Sequence, residues 1–200
     1  QGTVQRVEAY ARRTLALADN FVSLARAESE RYTLETVNLS DILLDAIDDL
    51  WPQSRSRAIE VQAEGCEEEH LVLADRTLLT RALINLIDNA LKYSEPETKV
   101  ECGIASVGDG LDAKVICTVQ DQGRGMSPES LTHLFERFQR STPAGGRQVS
   151  GVGLGLTFVQ TVILRHGGQI SCDSTLGEGT RFTLTLPRAE PDEAWAHEDY

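Results

Sequence analysis

The segment that decides the fold is "LINLIDNALKYS", residues 83–94, where two asparagines interrupt an otherwise apolar helix. At ~100° per residue, the polar side chains of this helix fall within an arc of about 140°. They are Arg81, Asn85, Asp88, Asn89, Lys92 and Tyr93. A solvent face usually carries Glu and Lys, because Asn is a poor helix former. Amide oxygens beside a cation would suit Mg²⁺ and phosphate, but the segment alone leaves a plain solvent face equally open.

Composition excludes several classes of protein. A net charge of −12 over 200 residues argues against general nucleic-acid binding, which needs a basic surface. The four cysteines form no CxxC pair, which favours reduced structural thiols in the cytoplasm over zinc or disulfides. No apolar run is long enough to cross a membrane, and no signal peptide is recognised. Because the first residue is Gln, we expect the sequence to be a piece of a longer protein.

Residues from about Thr3 to Glu28 predict one long helix with a heptad-like apolar seam. The seam comprises Val4, Val7, Ala11, Ala18, Phe21 and Ala25, widened by Tyr10, Leu17 and Leu24. A stripe this wide needs a partner, so we expect a helical bundle, formed across a dimer interface through residues 1–30. The alternative is that the helix packs on its own globular domain.

The rest of the chain alternates short helices and strands. A helix capped by Ser40 or Asp41 is expected to end at Pro52, and two short strands precede the helix at 75–93. Two strands then flank the turn "GDGLD", and "SPESLTHLFERF" predicts a helix capped by Ser127. A helix at about 154–166 and a hairpin close the domain, whereas residues 139–153 and the acidic tail are predicted to be mobile. The fold class is α+β: a two-layer sandwich with helices on one face of a mixed sheet.

The stretch "VQDQGRGM", residues 119–126, places a carboxylate where a strand ends in a glycine turn. Gly123 and Gly125 allow a sharp turn and close approach of a ligand. Asp121 could then accept a hydrogen bond from an exocyclic amine such as that of adenine. A plain glycine-rich turn explains the same residues, so this motif alone is weak.

The stretch "GVGLGLTFV", residues 151–159, is a glycine loop that leads into a helix. It matches neither GxGxxG nor GxxxxGK[ST], but such a loop commonly binds anions through free amides and the helix dipole. Arg137, Arg140 and Arg147 lie just upstream, with no acidic residue between Arg137 and the loop. This local positive charge favours a triphosphate site, although an unrelated surface loop would also fit.

In order, "NLIDNALKYS", "DQGRGM", "LFERFQR", "GVGLGL" and "GEGT" resemble the N, G1, F, G2 and G3 boxes of sensor histidine kinases. These boxes belong to the ATP-binding catalytic domain of the wider GHKL ATPase group, whose fold is a Bergerat-type sandwich. The resemblance implies a catalytic domain at residues 35–188, preceded at 1–34 by the second helix of the dimerisation hairpin. Residues 189–200 would be a disordered acidic tail.

The resemblance also implies roles for individual residues. Asn85 and Asn89 would hold Mg²⁺, Lys92 and Tyr93 would contact ATP, and the first three of these would be catalytic. Asp121 would bind the adenine amine in a pocket shaped by Gly123 and Gly125. The other positions that match family boxes are the lid anchors Phe135 and Phe138, the lid cations Arg137 and Arg140, the phosphate-loop residues Gly151, Gly153 and Gly155, and Gly177, Gly179 and Thr180 of the last box.

In the family, the γ-phosphoryl group of ATP goes to a histidine on the first hairpin helix. The chain has four histidines, and we identify none of them as that acceptor: His70, His133, His166 and His197. We therefore expect no phosphoacceptor in this chain, and its partners to be ATP, a separate acceptor helix and a response regulator. The resemblance implies a cytoplasmic domain whose full-length protein could be anchored in the inner membrane.

Two other functions remain open from the sequence. One is a different GHKL ATPase, such as an anti-sigma-factor kinase, a gyrase B subunit or a mismatch-repair protein. The hydrolytic members usually carry a glutamate where this helix has Asn85, which disfavours hydrolysis. The other is a non-catalytic scaffold that works through its helix, and the intact glycine boxes speak against it.

Overall fold

The computed structural model describes residues 33–137 and 153–190, together with nine residues of the leading helix. Within these described residues the chain forms seven strands and four helices. The strands are β1 (Glu35–Asn38), β2 (Glu60–Glu64), β3 (Leu71–Ala74), β4 (Lys99–Val107), β5 (Lys114–Asp121), β6 (Gln169–Thr175) and β7 (Gly179–Pro187). The helices are α1 (Leu39–Arg57), α2 (Arg76–Tyr93), α3 (Pro128–Thr132) and α4 (Gly155–Arg165), and a 3₁₀ turn spans Gly110–Asp112.

The main sheet has five strands in the order β2-β4-β5-β7-β6, and β1 pairs with β3 in a separate antiparallel ribbon. Strands β4 and β5, and β6 and β7, form the antiparallel hairpins that the sequence predicts. Strand β2 instead runs parallel to β4. Parallel neighbours need a crossover connection, and the segment that contains β3 and α2 supplies it. The predicted α+β fold with a mixed sheet is confirmed.

Helix α2 packs its apolar face into the core. Leu79, Leu83, Leu86 and Ile87 are fully buried, whereas Asn85 and the other polar residues stay partly exposed. The helix begins where predicted, because the Asp75 side chain accepts a hydrogen bond from the Leu78 N–H. Strands β4 and β5 alternate buried and exposed side chains, so the sheet buries one face against the helices.

Helix α1 differs from the prediction at both ends. Its cap is Asn38, whose Oδ1 accepts from the Ser40 N–H at 3.2 Å, while the Ser40 hydroxyl donates to the Glu68 carbonyl. The helix also continues through Pro52, which we had expected to end it. Proline removes one backbone donor, but Leu50 and Ser54 are buried on either side and hold the helix against the core. Strand β1 lies in what the sequence presented as a connector.

Helix α3 begins at the predicted cap, where Ser127 Oγ accepts from the Ser130 N–H, but ends at Thr132 and is therefore shorter than expected. Helix α4 matches its prediction to within one residue at each end. At the C-terminal end, Ala189 donates its N–H to the Leu71 carbonyl at 2.8 Å. That bond ties the start of the predicted tail to β3, and residues 191–200 lie outside the described part.

The end of the leading helix docks on the domain. Leu24 and Ala27 are buried in the same hydrophobic core as α2 and the sheet, and the exposed fractions of Phe21 and Val22 are 60% and 58%. The alternative that the helix packs on its own domain therefore holds for this end. The described seam residues Ala11, Ala18 and Ala25 face solvent, and dimerisation stays a prediction.

The described cysteines are free thiols: Cys102 and Cys117 are buried, and Cys66 and Cys172 are partly buried. Burial raises the pKa of Cys102 to about 12, and also raises the pKa of Cys117. Both thiols therefore stay protonated at neutral pH and act as small apolar side chains. Among the described residues, no helix is long and apolar enough to span a membrane.

Candidate functional site

The carboxylate of Asp121 lies at the end of β5 and is almost completely buried, with 6% exposure. Its Oδ1 accepts from the Gly123 N–H at 2.8 Å, and the Thr180 N–H on β7 also donates to it. Burial raises the pKa of Asp121, and the two backbone donors partly offset this shift. A carboxylate has about four lone-pair positions, so capacity remains for a ligand amine.

The turn after Asp121 is packed too tightly for a side chain at either of its two glycines. A Cβ atom at Gly123 would lie 2.3 Å from the Tyr93 carbonyl oxygen, at the end of α2. A Cβ atom at Gly125, whose φ is +64°, would lie 1.8 Å from the Thr175 carbonyl oxygen. The turn is therefore wedged between the last residue of α2 and the β6–β7 hairpin, which fixes the position of Asp121.

A hydroxyl network supports this turn from the β6–β7 side. Ser174 Oγ donates to the Gly179 carbonyl at 2.7 Å and accepts from the Met126 N–H at 2.9 Å. The hydroxyl of Thr180 lies 2.9 Å from the same Ser174 oxygen. The sequence did not single out Ser174, because a serine in an alternating strand carries no motif.

The middle of the α2 polar face meets the start of α4. Asn85 Nδ2 donates to the Arg81 carbonyl at 2.9 Å, which leaves the amide oxygen as the outward group. A Cβ atom at Gly155 would lie 2.8 Å from that Asn85 oxygen. The predicted N box and phosphate loop are thus in direct contact through these two residues.

Lys92, the cation of the predicted N box, already has a partner. Lys92 forms an ion pair with Asp88 one turn earlier on α2, and Asp88 also accepts from Gln53 Nε2 at 2.5 Å. Among the described residues, none hydrogen-bonds the Asn89 side chain, which leaves its oxygen available. The sequence placed Asp88 on the right face of α2 but did not predict its bond to Gln53, because Gln53 lies on another helix.

The first residues of the predicted lid rest on α4 and on the leading helix. The Phe135 carbonyl accepts from Thr157 Oγ1 at 2.9 Å, which ties the predicted lid anchor to α4. Arg137 pairs with Glu28 of the leading helix, whose carbonyl accepts from Arg165 Nη2 at 2.5 Å. Three predicted residues of this region lie outside the described part: Phe138, Arg140 and Gly151.

Each of the three described histidines is bonded to another group of the domain. His70 is buried and bonds Ser106 Oγ and the Gly65 carbonyl, and His166 is buried and accepts from the Asp75 N–H at 2.9 Å. His133 is exposed in the turn after α3 and pairs with Glu136. His197 lies outside the described residues. The prediction that this chain lacks a phosphoacceptor stays a prediction, and nothing in these contacts opposes it.

Two clusters therefore share helix α2. At the end of α2, the buried acceptor Asp121 lies beside Gly123 and Thr180, and Tyr93 abuts the same turn. At the middle of α2, Asn85 adjoins Gly155, the first residue of α4. This arrangement, on a mixed sheet with helices on one face, is the one that the resemblance to GHKL ATPases implies.

Comparisons with known proteins agree with the family resemblance of the five boxes. A family model described as histidine kinase-, DNA gyrase B- and HSP90-like ATPase matches residues 74–190. The chain is 35% identical over 164 residues to the histidine-protein kinase/phosphatase MprB of Mycolicibacterium vanbaalenii, covering 82% of this chain and 32% of that protein. It is 31% identical over 184 residues to the sensor histidine kinase RppB of Synechocystis, covering 90% of this chain and 39% of that protein.

Solved structures show the same relationship. A mycobacterial sensor histidine kinase MprB superposes with a TM-score of 0.65 at 28% identity, covering 80% of this chain and 100% of that chain. Full-length ShkA in complex with AMPPNP superposes with a TM-score of 0.76 at 25% identity, covering 95% of this chain and 39% of that chain.

The chain belongs to the histidine kinase-, DNA gyrase B- and HSP90-like ATPase family. It contains the ATP-binding catalytic domain of a sensor histidine kinase, as the five boxes predict. The chain spans about a third of the length of the two curated relatives described above, at 32% and 39%.

Proposed function

We propose that this chain binds ATP with Mg²⁺ between α2, the G1 turn and the start of α4. In the complete protein, the γ-phosphoryl group would pass to a histidine on a helix outside this sequence and then to a response regulator. The observation that carries the proposal is the buried Asp121 carboxylate, fixed at a turn in which no side chain fits at Gly123 or Gly125.

Adenine recognition follows from the state of Asp121. The ionised carboxylate accepts from the exocyclic amine, and its two backbone donors hold it in place before the nucleotide arrives. Because Asp121 is almost completely buried, a base that presents no donor there would leave the carboxylate poorly satisfied. This predicts selectivity for a purine with an amine at that position.

Phosphate binding would use the start of α4 and the polar face of α2. Within the described part of the chain, no side chain caps the N-terminus of α4, so backbone donors of its first turn would be open to an anion. Lys92 lies on the α2 face one turn beyond Asn85, and Arg137 lies at the start of the lid. Both cations would exchange a carboxylate partner for phosphate oxygens on binding.

The residues present also fit Mg²⁺. The oxygen of Asn85 faces away from the bond that its Nδ2 makes, and Asn89 carries a second amide oxygen on the same face. Mg²⁺ prefers oxygen ligands and keeps several waters, so two amides plus phosphate oxygens form a suitable set. Bound there, the metal would neutralise charge that develops on the phosphates.

Hydrolysis by this chain alone is disfavoured. The hydrolytic relatives need a carboxylate free to activate water, and Asp88, the acidic residue of the N box, is engaged by Lys92 and Gln53. The complete protein would act as a kinase and form a homodimer through the leading helix. The inner membrane remains the proposed location of the complete protein, with this domain in the cytoplasm.

The test is a thermal-shift titration of the chain with ATP, with Mg²⁺ and with EDTA. Binding at 100 times the dissociation constant stabilises the folded state by about 2.7 kcal/mol. We expect a saturable rise in the unfolding midpoint that is larger with Mg²⁺. An unfolding midpoint that does not change at millimolar Mg-ATP would contradict the proposed ATP site. An equal rise in the presence of EDTA would contradict the proposed Mg²⁺ site.

A second experiment separates kinase from ATPase. The chain is incubated with γ-labelled ATP and a separately produced hairpin that carries the acceptor histidine of a close relative. We expect acid-labile label on the hairpin, and the asparagine-bearing variant of the hairpin is the control. Released phosphate without labelled protein would favour the ATPase alternative.

A further inference from the structure

We infer that Arg124, the residue between the two G1 glycines, is a positioning residue that fixes the Tyr93 ring as a wall of the nucleobase pocket. The inference rests on the proposed ATP site. The Arg124 guanidinium carbon lies 4.7 Å from the centroid of the Tyr93 ring, within the range of a cation–π contact. Both side chains are only partly exposed, so the contact is partly shielded from water.

The backbones of the two residues are held independently of this contact. Gly123 abuts the Tyr93 carbonyl so closely that a Cβ atom there would lie 2.3 Å from the oxygen. The Arg124 carbonyl accepts from the Gly177 N–H at 2.7 Å, which anchors the turn to the β6–β7 hairpin. With both main chains fixed, the guanidinium can settle the rotamer of the ring without carrying the fold.

The position of the pair links it to the base and not to the phosphates. Tyr93 is the last residue of α2, and its carbonyl touches the turn in which Gly123 donates to the Asp121 carboxylate. Asn85, which adjoins the phosphate-loop residue Gly155, lies two turns earlier on the same helix. The backbone of Tyr93 therefore touches the turn that holds the amine acceptor, and the inference places its ring at the border of the same pocket.

Arg124 also differs from the other cations near the site. Lys92 and Arg137 are each paired with a carboxylate, at Asp88 and Glu28. Within the described part of the chain, no carboxylate pairs with Arg124, and its side-chain contact is the ring. A guanidinium held against an aromatic ring restricts both side chains, so less ordering is left to the binding step.

The inference makes a quantitative distinction. If Arg124 acts through the ring, its loss weakens the binding of ATP and of adenosine by the same factor, because both ligands contain the base. If it acted through its charge, ATP would lose much more affinity than adenosine. We expect the dissociation constants of both ligands to rise by a factor of roughly 3 to 10, as for the loss of a partly shielded cation–π contact.

The experiment measures dissociation constants of ATP and adenosine by calorimetry and competition for wild type, Arg124→Ala and Arg124→Lys. Lysine keeps a cation over the ring and should restore part of the affinity. Arg124→Ala is then repeated in a Tyr93→Ala background, where its effect should vanish because the ring is gone. Should Arg124→Ala unfold, Arg124→Met, which keeps the apolar stem, replaces it throughout.

Three results would overturn the inference while wild type still binds ATP. They are a loss confined to ATP, an unchanged or tighter affinity in Arg124→Ala, and an undiminished effect in the Tyr93→Ala background. A wild-type chain that binds neither ligand would instead contradict the proposed function itself. The two failures are therefore distinguishable.

Discussion

The base end and the phosphate end of the candidate site are held in opposite ways. At the base end, Asp121 receives two backbone donors, and the G1 turn admits no side chain at Gly123 or Gly125. At the phosphate end, Lys92 and Arg137 are bound to carboxylates of the protein itself. The base end is preorganised, whereas the phosphate end must exchange partners when a nucleotide binds.

The difference has a physical basis. Backbone contacts of glycines are steric and cannot be rearranged without moving strands, so they fix geometry at no cost during binding. Ion pairs between partly exposed side chains are weak and screened, so an incoming phosphate can displace them. Substitutions in the first region should therefore damage binding or folding, and substitutions in the second should tune affinity.

The largest effect is expected at Gly125. Alanine there would need a positive φ and would meet the Thr175 carbonyl oxygen at 1.8 Å. We expect Gly125→Ala to lower the free energy of unfolding by at least about 3 kcal/mol, measured by urea denaturation. Gly177→Ala is the control, because Gly177 also has a positive φ but its Cβ would meet nothing within 4 Å. Equal losses would show that strain alone, and not the fit of the turn, holds the base end.

The next effect concerns pH. Burial raises the pKa of Asp121, so its carboxylate gains a proton at a higher pH than an ordinary aspartate does. We expect ATP affinity to fall on acidification, starting above the usual aspartate range, because the protonated group is a poor acceptor for the adenine amine. Inorganic triphosphate, which lacks the base, is the control ligand measured from pH 8 to pH 5. A parallel pH profile for both ligands would place the titration outside the base end.

The same shift fixes the sign of a stability effect. A carboxyl whose pKa is raised by folding stabilises the protein below its unfolded pKa, and that contribution is lost as pH rises through the folded value. Ionised Asp121 therefore costs stability at neutral pH. Removing its charge should not lower the unfolding midpoint there.

A smaller change is expected when Lys92 is released. Asp88→Asn removes the charge that pairs with Lys92 and frees the cation for phosphate. We expect Mg-ATP to bind about two- to fivefold more tightly at low salt, because the pair is only partly exposed. The matched control is Asp45→Asn, which breaks the exposed pair with Arg76 away from the site. Weaker binding in Asp88→Asn alone would show that Asp88 positions Lys92 and does not compete for it.

The smallest effect is expected at the lid. Glu28→Gln removes the carboxylate that pairs with Arg137, an exposed contact that salt screens. We expect Mg-ATP to bind about twofold more tightly at low salt and with unchanged affinity at high salt. Asp45→Asn is again the control. A salt-independent change would mean that the docking of the leading helix, and not the charge, had been altered.

The two ends also differ in how far the sequence could predict them. The G1 turn and the polar face of α2 follow from local patterns: a strand that ends in DxGxG, and Asn at helical spacing. Both patterns depend on neighbours within a few residues, so Asp121 and Asn85 could be proposed as site residues from the sequence alone. The Asp75 cap of α2 is equally local.

The pairings that engage the cations could not be predicted. Glu28 and Arg137 are 109 positions apart, and Gln53 reaches Asp88 from another helix across 35 positions. The same holds for β1, a four-residue strand whose partner is β3, and for α1, which tertiary packing carries past Pro52. Long-range packing decides these features, and local propensity carries no information about it.

The central claim is that Asp121 recognises the base of ATP from a preformed position. The most direct measurement is calorimetric titration of Mg-ATP into wild type and Asp121→Asn, with the unfolding midpoint of each recorded. The account predicts saturable binding by wild type, affinity about 10- to 100-fold lower in Asp121→Asn, and an unfolding midpoint that does not fall. Equal affinity in a folded Asp121→Asn variant would contradict it.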